Sequence, residues 1–347
     1  MGKEKFIDEL KYKLNYLSEE EISKVVTYYS EIIDDKIEDG MTEEDAVSSL
    51  GSMEEIEEII RTEAGNYKKE NNFQSERKIY TCKNDVELIH VDDKNTSIEI
   101  NPTSKDKIFI EYYEDKYSEY DILENEDTVF IKKMTYPHFM FFGGLLHLAN
   151  TKMVINIPLK SMVKKLDIST TNAYINCIDL NVPRIELKSS NGKMNIENIE
   201  ALKGIKIYTT NGVLNITNLK SGNMVECHTT NGAIVLQDVE TGDGIELKTT
   251  NGAVKINSAA SKNLTVKTSN GSIKFDGVEV NENIDLKSTN SSIKGRIIGL
   301  MTEFNIISKT INGKNNLPSS LKLGDKNLTA VTSNGSINIE FGGRTLK

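Results

Sequence analysis

The sequence predicts a multidomain chain, a small α-helical N-terminal domain followed by a single-stranded β-solenoid, or β-helix, with coils of about 20 residues. Three observations predict it. An Asn-centred turn signal recurs nine times at a nearly constant spacing. Apolar residues alternate on either side of that signal with the strand period of two. Before residue 65 the apolar period is helical instead, and the charge balance differs. At 347 residues the chain is also longer than one ordinary compact core requires.

The helical domain is expected over residues 1–65. Ser18 precedes Glu21, Thr42 precedes Asp45 and Ser52 precedes Glu55. In each pair a hydroxyl can accept the third helical N–H while the carboxylate reaches back to the cap. Gly40, Gly51 and Gly65 are the predicted stops. Phe6, Leu10, Leu14 and Leu17 line one face, Ile22, Val25, Val26, Tyr29, Ile32, Ile33 and Ile37 the next, and Ile56, Ile59 and Ile60 the last. So small a core is marginal by itself, which suggests docking on a protein partner or a second copy. The acidic stretch "DDKIEDG", Asp34 to Gly40, lacks the alternating oxygen ligands of a calcium loop and reads as a solvated helix end. Residues 1–62, and "EDAVSSLGSMEEI" most specifically, resemble the HAAS signalling domain of bacterial envelope and regulatory proteins. That domain usually precedes membrane helices, and none is predicted here.

Residues 66–78, "NYKKENNFQSERK", are polar and aperiodic and read as a linker. Residues 79–165 read as a β-rich cap for the solenoid, with strand-like runs "SIEINP", "KIFIEYYED", "TVFIKKM" and "MVINIPL". Inside it lies the apolar run "FMFFGGLLHLA". One reading folds this run over the first coil as a plug. The other makes Phe139, Met140, Phe141, Phe142, Leu145 and Leu146 a contact loop for a membrane surface or a partner.

The solenoid is predicted over 166–347, marked by Asn172, Asn191, Asn211, Asn231, Asn251, Asn270, Asn290, Asn312 and Asn334. Their spacings are 19, 20, 20, 20, 19, 20, 22 and 22 residues. Ile245 and Leu247 before Asn251, and Val254 and Ile256 after it, are read as inward. Carrying the first parity forward also places Thr249 and Asn251 inside, with the slip at Gly252, where glycine would supply a positive φ. The inward asparagines are then expected to stack as an amide ladder, with coils ~4.8 Å apart and a stack about 40 Å long. Cys177 and Cys227 fall in inward slots and read as core thiols.

Two outward columns carry charge. Lys188, Lys248, Lys267, Lys287 and Lys309 form a basic stripe beside an acidic one of Asp167, Glu186, Glu226, Glu246 and Asp285. A solvated, self-neutralising face is one reading, and a surface for a polyanion or anionic lipid is the other. The hydroxyl column at Thr210, Thr230 and Thr250 lacks the second outward threonine of an ice-binding array.

No cofactor, metal or catalytic residue is expected. Cys82, Cys177 and Cys227 are far apart, no CxxC occurs, and the four histidines stand in no nucleophile motif. Net charge is −10, with −11 in residues 1–70 and +1 in the remainder, so nucleic acid is not an expected partner. No signal peptide or membrane span is read, so the expected compartment is the cytoplasm, with a membrane-associated or cell-surface location as the alternative.

From about residue 80 onward, "MVINIPL", "KKLDISTTNAYINCIDL" and the serial "TTNG" and "TSNG" units resemble the bacterial adhesin-type β-solenoid family. The order of head and solenoid is similar to the Lia-type envelope-stress regulators of Gram-positive bacteria. That resemblance implies a non-enzymatic regulatory or binding protein of envelope-stress signalling. The alternative readings are a surface adhesin or structural protein, and a polysaccharide-acting β-helix enzyme.

Overall fold

The structure, a computed structural model, describes residues 1–38, 41–69, 75–114, 118–135 and 152–343. They divide into two compact units, a helical head within residues 1–76 and a β unit built from Arg77–Tyr113, Tyr120–Lys133 and the chain from residue 152. Each has its own buried apolar cluster.

The head contains α1 (Lys3–Lys13), α2 (Glu19–Glu38), α3 (Glu43–Ser48) and α4 (Met53–Lys69). A side-chain cap starts each of the last three, and it is reciprocal at Ser18 and at Ser52. The Ser18 hydroxyl accepts from the Glu21 N–H at 3.3 Å while the Ser18 N–H donates to Glu21 at 2.7 Å. Thr42 accepts from the Asp45 N–H, and Ser52 and Glu55 exchange both bonds. Gly51 ends the turn after α3 at φ +97°, whereas α4 runs through Gly65 to Lys69. One helical glycine costs about 1 kcal/mol, too little to stop a helix otherwise held by a buried face. That face packs Ile56 and Ile60 with Phe6, Leu10, Leu14 and Ile33. Gly40 lies outside the described residues.

The β unit is a solenoid whose coils have three sides. Its first side holds Lys165–Thr170, Arg184–Ser189, Ile205–Thr209, Val225–His228 and Gly244–Lys248, each parallel to the next in register. Its second side includes Ile175–Ile178 and the starts of Met194–Ala201, Leu214–Ser221, Ile234–Thr241 and Val254–Thr268. The short third side carries Ile199, Leu219, Val239 and Ala259 inward. Ile, Leu and Val from the three sides fill the interior, each contributing about 1.5–3 kcal/mol by leaving water.

The first corner differs from expectation by one residue. Thr249 is buried, Thr250 and Asn251 both face solvent, and Gly252 turns inward. A Cβ on Gly252 would sit 1.7 Å from the Gly232 carbonyl oxygen, and one on Gly271 equally close to Gly252. Glycine is therefore needed for close approach between coils, and it is not among the glycines with positive φ. Thr249 completes the corner, its hydroxyl accepting from the Gly252 N–H at 3.0 Å and donating to the Gly232 carbonyl at 3.2 Å. Positive φ occurs instead at the second corner, at Asp179, Asn198, Asn218, Asp238, Ser258 and Gly277. Asn, Asp and Gly are the residues that tolerate that conformation best.

At both ends the coils do not stack in chain order. Strand Leu88–Asp92 lies between Thr128–Thr135 and Lys165–Thr170, and Ser97–Thr103 lies between Lys152–Pro158 and Ile175–Ile178. At the other end Lys326–Val331 lies between the second half of Ile273–Ser288 and Phe304–Lys309, which precedes it in the chain. Antiparallel strands cover the outermost parallel ones, Phe109–Glu114 on Lys152–Pro158 and Ser320–Lys322 on Phe304–Lys309. Asn316 finishes the second side. Its side-chain amide donates to the Ile339 carbonyl and accepts from the Ile339 N–H, both at 2.9 Å, in place of another strand. Such closure blunts edges that would otherwise template further pairing.

Candidate functional surfaces

The asparagines marked in the sequence are brought into one line at the first corner. Each side-chain amide donates to the side-chain oxygen of its neighbour at 2.5 to 2.8 Å, in the order Asn95, Asn172, Asn191, Asn211, Asn231, Asn251, Asn270, Asn290, Asn334 and Asn312. These side chains are exposed and run along the outside, not in the core as the parity argument placed them. The residue after the asparagine takes the inward place, glycine where the coils approach most closely and Ala173 or Thr96 nearer the end, so the asparagine before it faces outward. All nine bonds point the same way, an arrangement in which hydrogen bonds polarise one another. Asn95, in the turn "DDKNTS", is a further member that the 20-residue spacing does not reveal, because it stands 77 residues before its ladder neighbour Asn172.

Two further ladders run along the other corners. At the second corner Asn218 donates to Asn198 and Asn198 to Asp179. At the third, Asn283 donates to Asn263 and Asn327 to Asn283. The signal was present, since Asp179, Asn198, Asn218 and Asp238 each stand seven residues after a first-corner asparagine.

On the first side the charged columns interlock. Lys188 pairs with Glu186 at 2.8 Å, Lys248 with Glu246, and Lys287 and Lys267 with Asp285 at 2.9 and 4.0 Å. Lys206 and the Tyr208 hydroxyl both reach Glu226, and His228 Nε2 lies 2.9 Å from Glu246. The hydrogen bond from Lys188 holds the Glu186 carboxyl below its ordinary range, and Glu186 raises Lys188 in turn. Of the predicted stripe, Lys309 is exposed and has no carboxylate partner among the described residues. Among those residues no three His, Cys, Asp or Glu side chains converge as a metal site would require. Burial pushes the thiols of Cys82 and Cys177 up to about 12.

The first described coil holds a buried acid. Asp93, 2% exposed, occupies the slot that Thr249 fills in a regular coil. Its Oδ1 accepts from the Thr96 N–H at 3.1 Å and its Oδ2 from the Tyr120 hydroxyl at 2.6 Å. A threonine hydroxyl there could accept one of these two bonds at a time in the geometry of Thr249, whereas the carboxylate offers a separate oxygen to each donor. Burial raises the Asp93 carboxyl above the ordinary 3.8, opposed by the nearby Lys133 ammonium.

The six predicted contact-loop residues, Phe139, Met140, Phe141, Phe142, Leu145 and Leu146, lie outside the described residues. Among the described residues no helix is long and apolar enough to cross a membrane.

A family model described as Toastrack DUF4097 matches residues 86–340, and one described as HAAS matches residues 5–58. No curated protein matches the chain. Similar solved structures include a candidate lipid-binding protein from Parabacteroides distasonis, 15% identical, covering 77% of this chain and 97% of its own, with a TM-score of 0.44. A candidate adhesin from Bacteroides fragilis is 10% identical over 77% of this chain and 97% of its own, with a TM-score of 0.39. A candidate cell adhesion protein from Clostridium sporogenes is 12% identical over 77% of this chain and all of its own, with a TM-score of 0.22.

Proposed function

The chain belongs to the Toastrack DUF4097 family, and from that premise we propose a non-enzymatic regulatory binding protein of the bacterial cell envelope. In this reading the acidic HAAS-like head docks a protein partner, and the solenoid presents a fixed surface to an envelope component during envelope stress. The carrying observation is the regularity of the outward columns. Carboxylates are spent on lysine, tyrosine and histidine neighbours, coil after coil. A general acid would need a carboxyl raised and free to transfer its proton, whereas Glu186, bonded by Lys188, is displaced the opposite way. A rigid scaffold of ladders favours presenting groups over rearranging them.

A pull-down from membrane and cytosolic fractions tests this, comparing the full chain with residues 1–65 and 79–347. Capture of a protein by the full chain and the head, but not by the solenoid, is expected. A glycan-cleaving activity lost on changing one carboxylate would replace this reading with the enzyme one. An exclusively extracellular pool of the protein would favour the adhesin.

A further inference from the structure

Apart from Lys309, the lysines of the first-side stripe are neutralised by their neighbours, but a second lysine column is not. Lys255, Lys274 and Lys294 stand in register on three successive strands of the second side. All three are exposed, and none has a carboxylate partner among the described residues. The acid one column further along, Asp276, is held by Arg296 Nε at 2.9 Å. The column toward the Asn corner is small, Ala253, Ser272 and Ser292, so the ammonium groups are open from that side. Like charges directly opposite on adjacent strands destabilise a sheet. Three in a row, in a chain of net charge −10, make a local concentration of positive charge that the fold itself does not use.

We infer that Lys255, Lys274 and Lys294 form a binding site for an extended phosphate-bearing polymer lying along the stacking direction. Adjacent strands hold the ammonium groups ~5 Å apart, on a face too regular to enclose a compact ligand. Lysine binds phosphate as a point charge, so a repeating anion matches a repeating lysine without any pocket. The site deepens the reading of the solenoid as a binding surface by naming the class of ligand. It also moves the basic surface from the first side, where the sequence pattern placed it, to the second.

The test titrates the full chain with inorganic polyphosphate and, separately, with phosphatidylglycerol–phosphatidylcholine vesicles at several salt concentrations. Three variants accompany it: K255Q/K274Q/K294Q, its charge-keeping counterpart K255R/K274R/K294R, and K188Q/K248Q/K287Q on the first side. The expected result is polyphosphate binding by the full chain, weakened about tenfold or more in the second-side glutamine variant, with the log–log salt slope reduced by about two. The arginine variant and the first-side variant should bind within about threefold of the unchanged chain. Equal loss in both glutamine variants would overturn the assignment, and so would failure to bind polyphosphate at low salt. Binding to vesicles alone would overturn it in favour of a lipid surface. A negative polyphosphate result leaves the head-and-solenoid pull-down unaffected, so the two readings fail separately.

Discussion

The head and the solenoid reach order by opposite routes. In the head the decisive contacts are three residues apart, as between Ser18 and Glu21 or Ser52 and Glu55. In the solenoid they are about twenty apart, as between Asn231 and Asn251, and each coil leans on the next. The head concentrates its stability in a small shared core where every large side chain matters. The solenoid spreads it over nearest-neighbour interfaces, so damage to one coil is borne locally.

The largest test of that contrast removes residues 1–65. Far-ultraviolet circular dichroism is expected to lose its helical part and keep its β part unchanged. Loss of the β signal would make the two modules one folding unit. Next in size is Ile33→Ala, at a wholly buried position of the head. It should cost about 2–5 kcal/mol and unfold the head while the solenoid's thermal transition stays in place. Gly252→Ala should cost about 3 kcal/mol by forcing a methyl against the Gly232 carbonyl, read as a lower midpoint of the β transition alone. Asn251→Leu removes one exposed ladder member and is expected to cost only about 1 kcal/mol, because water can serve Asn231 and Asn270. A cost above that of Gly252→Ala would show the ladder acting as a cooperative unit.

The smallest effect is in pH. Asp93 is raised by burial, so between the ordinary 3.8 and its folded value the native state holds more protons than the unfolded one. Stability therefore falls as pH rises through that window, and Asp93→Asn should flatten the dependence there. Observing the Asp93 carboxyl by NMR should show it titrating above 3.8. A midpoint below that value would overturn the assignment of burial as the dominant cause.

What could be read in advance follows the range of each interaction. Caps such as Ser18 with Glu21 are written within four residues and were legible. The inward strand positions, Ile245, Leu247, Val254 and Ile256, were legible because alternation names them. In "TTNG" three polar residues precede the glycine, and composition does not say which is buried. The structure buries the first, because only Thr249 can both accept from Gly252 and donate to the coil before. One other feature had no local signal. Asn312 and Asn334 carry alike turns, and strand pairing alone reveals that the later one lies between Asn290 and the earlier. The lysine columns do differ along the chain: Lys188, Lys248 and Lys287 each follow an acid by two residues and pair with it, whereas Lys255, Lys274 and Lys294 follow Ala253, Ser272 and Ser292.

The reversed stacking at the C-terminal end bears on how the protein is made. A ribosome releases Phe304–Lys309 before Lys326–Val331, yet the later strand sits inside the earlier one. A solenoid growing strictly in order of synthesis would add residues 304–309 directly on the 283–288 layer, occupying the seat reserved for the final coil. Completion of this layer therefore waits for residues 326–331 to emerge, and truncation after about residue 325 leaves the 283–287 and 304–309 strands without the one between them.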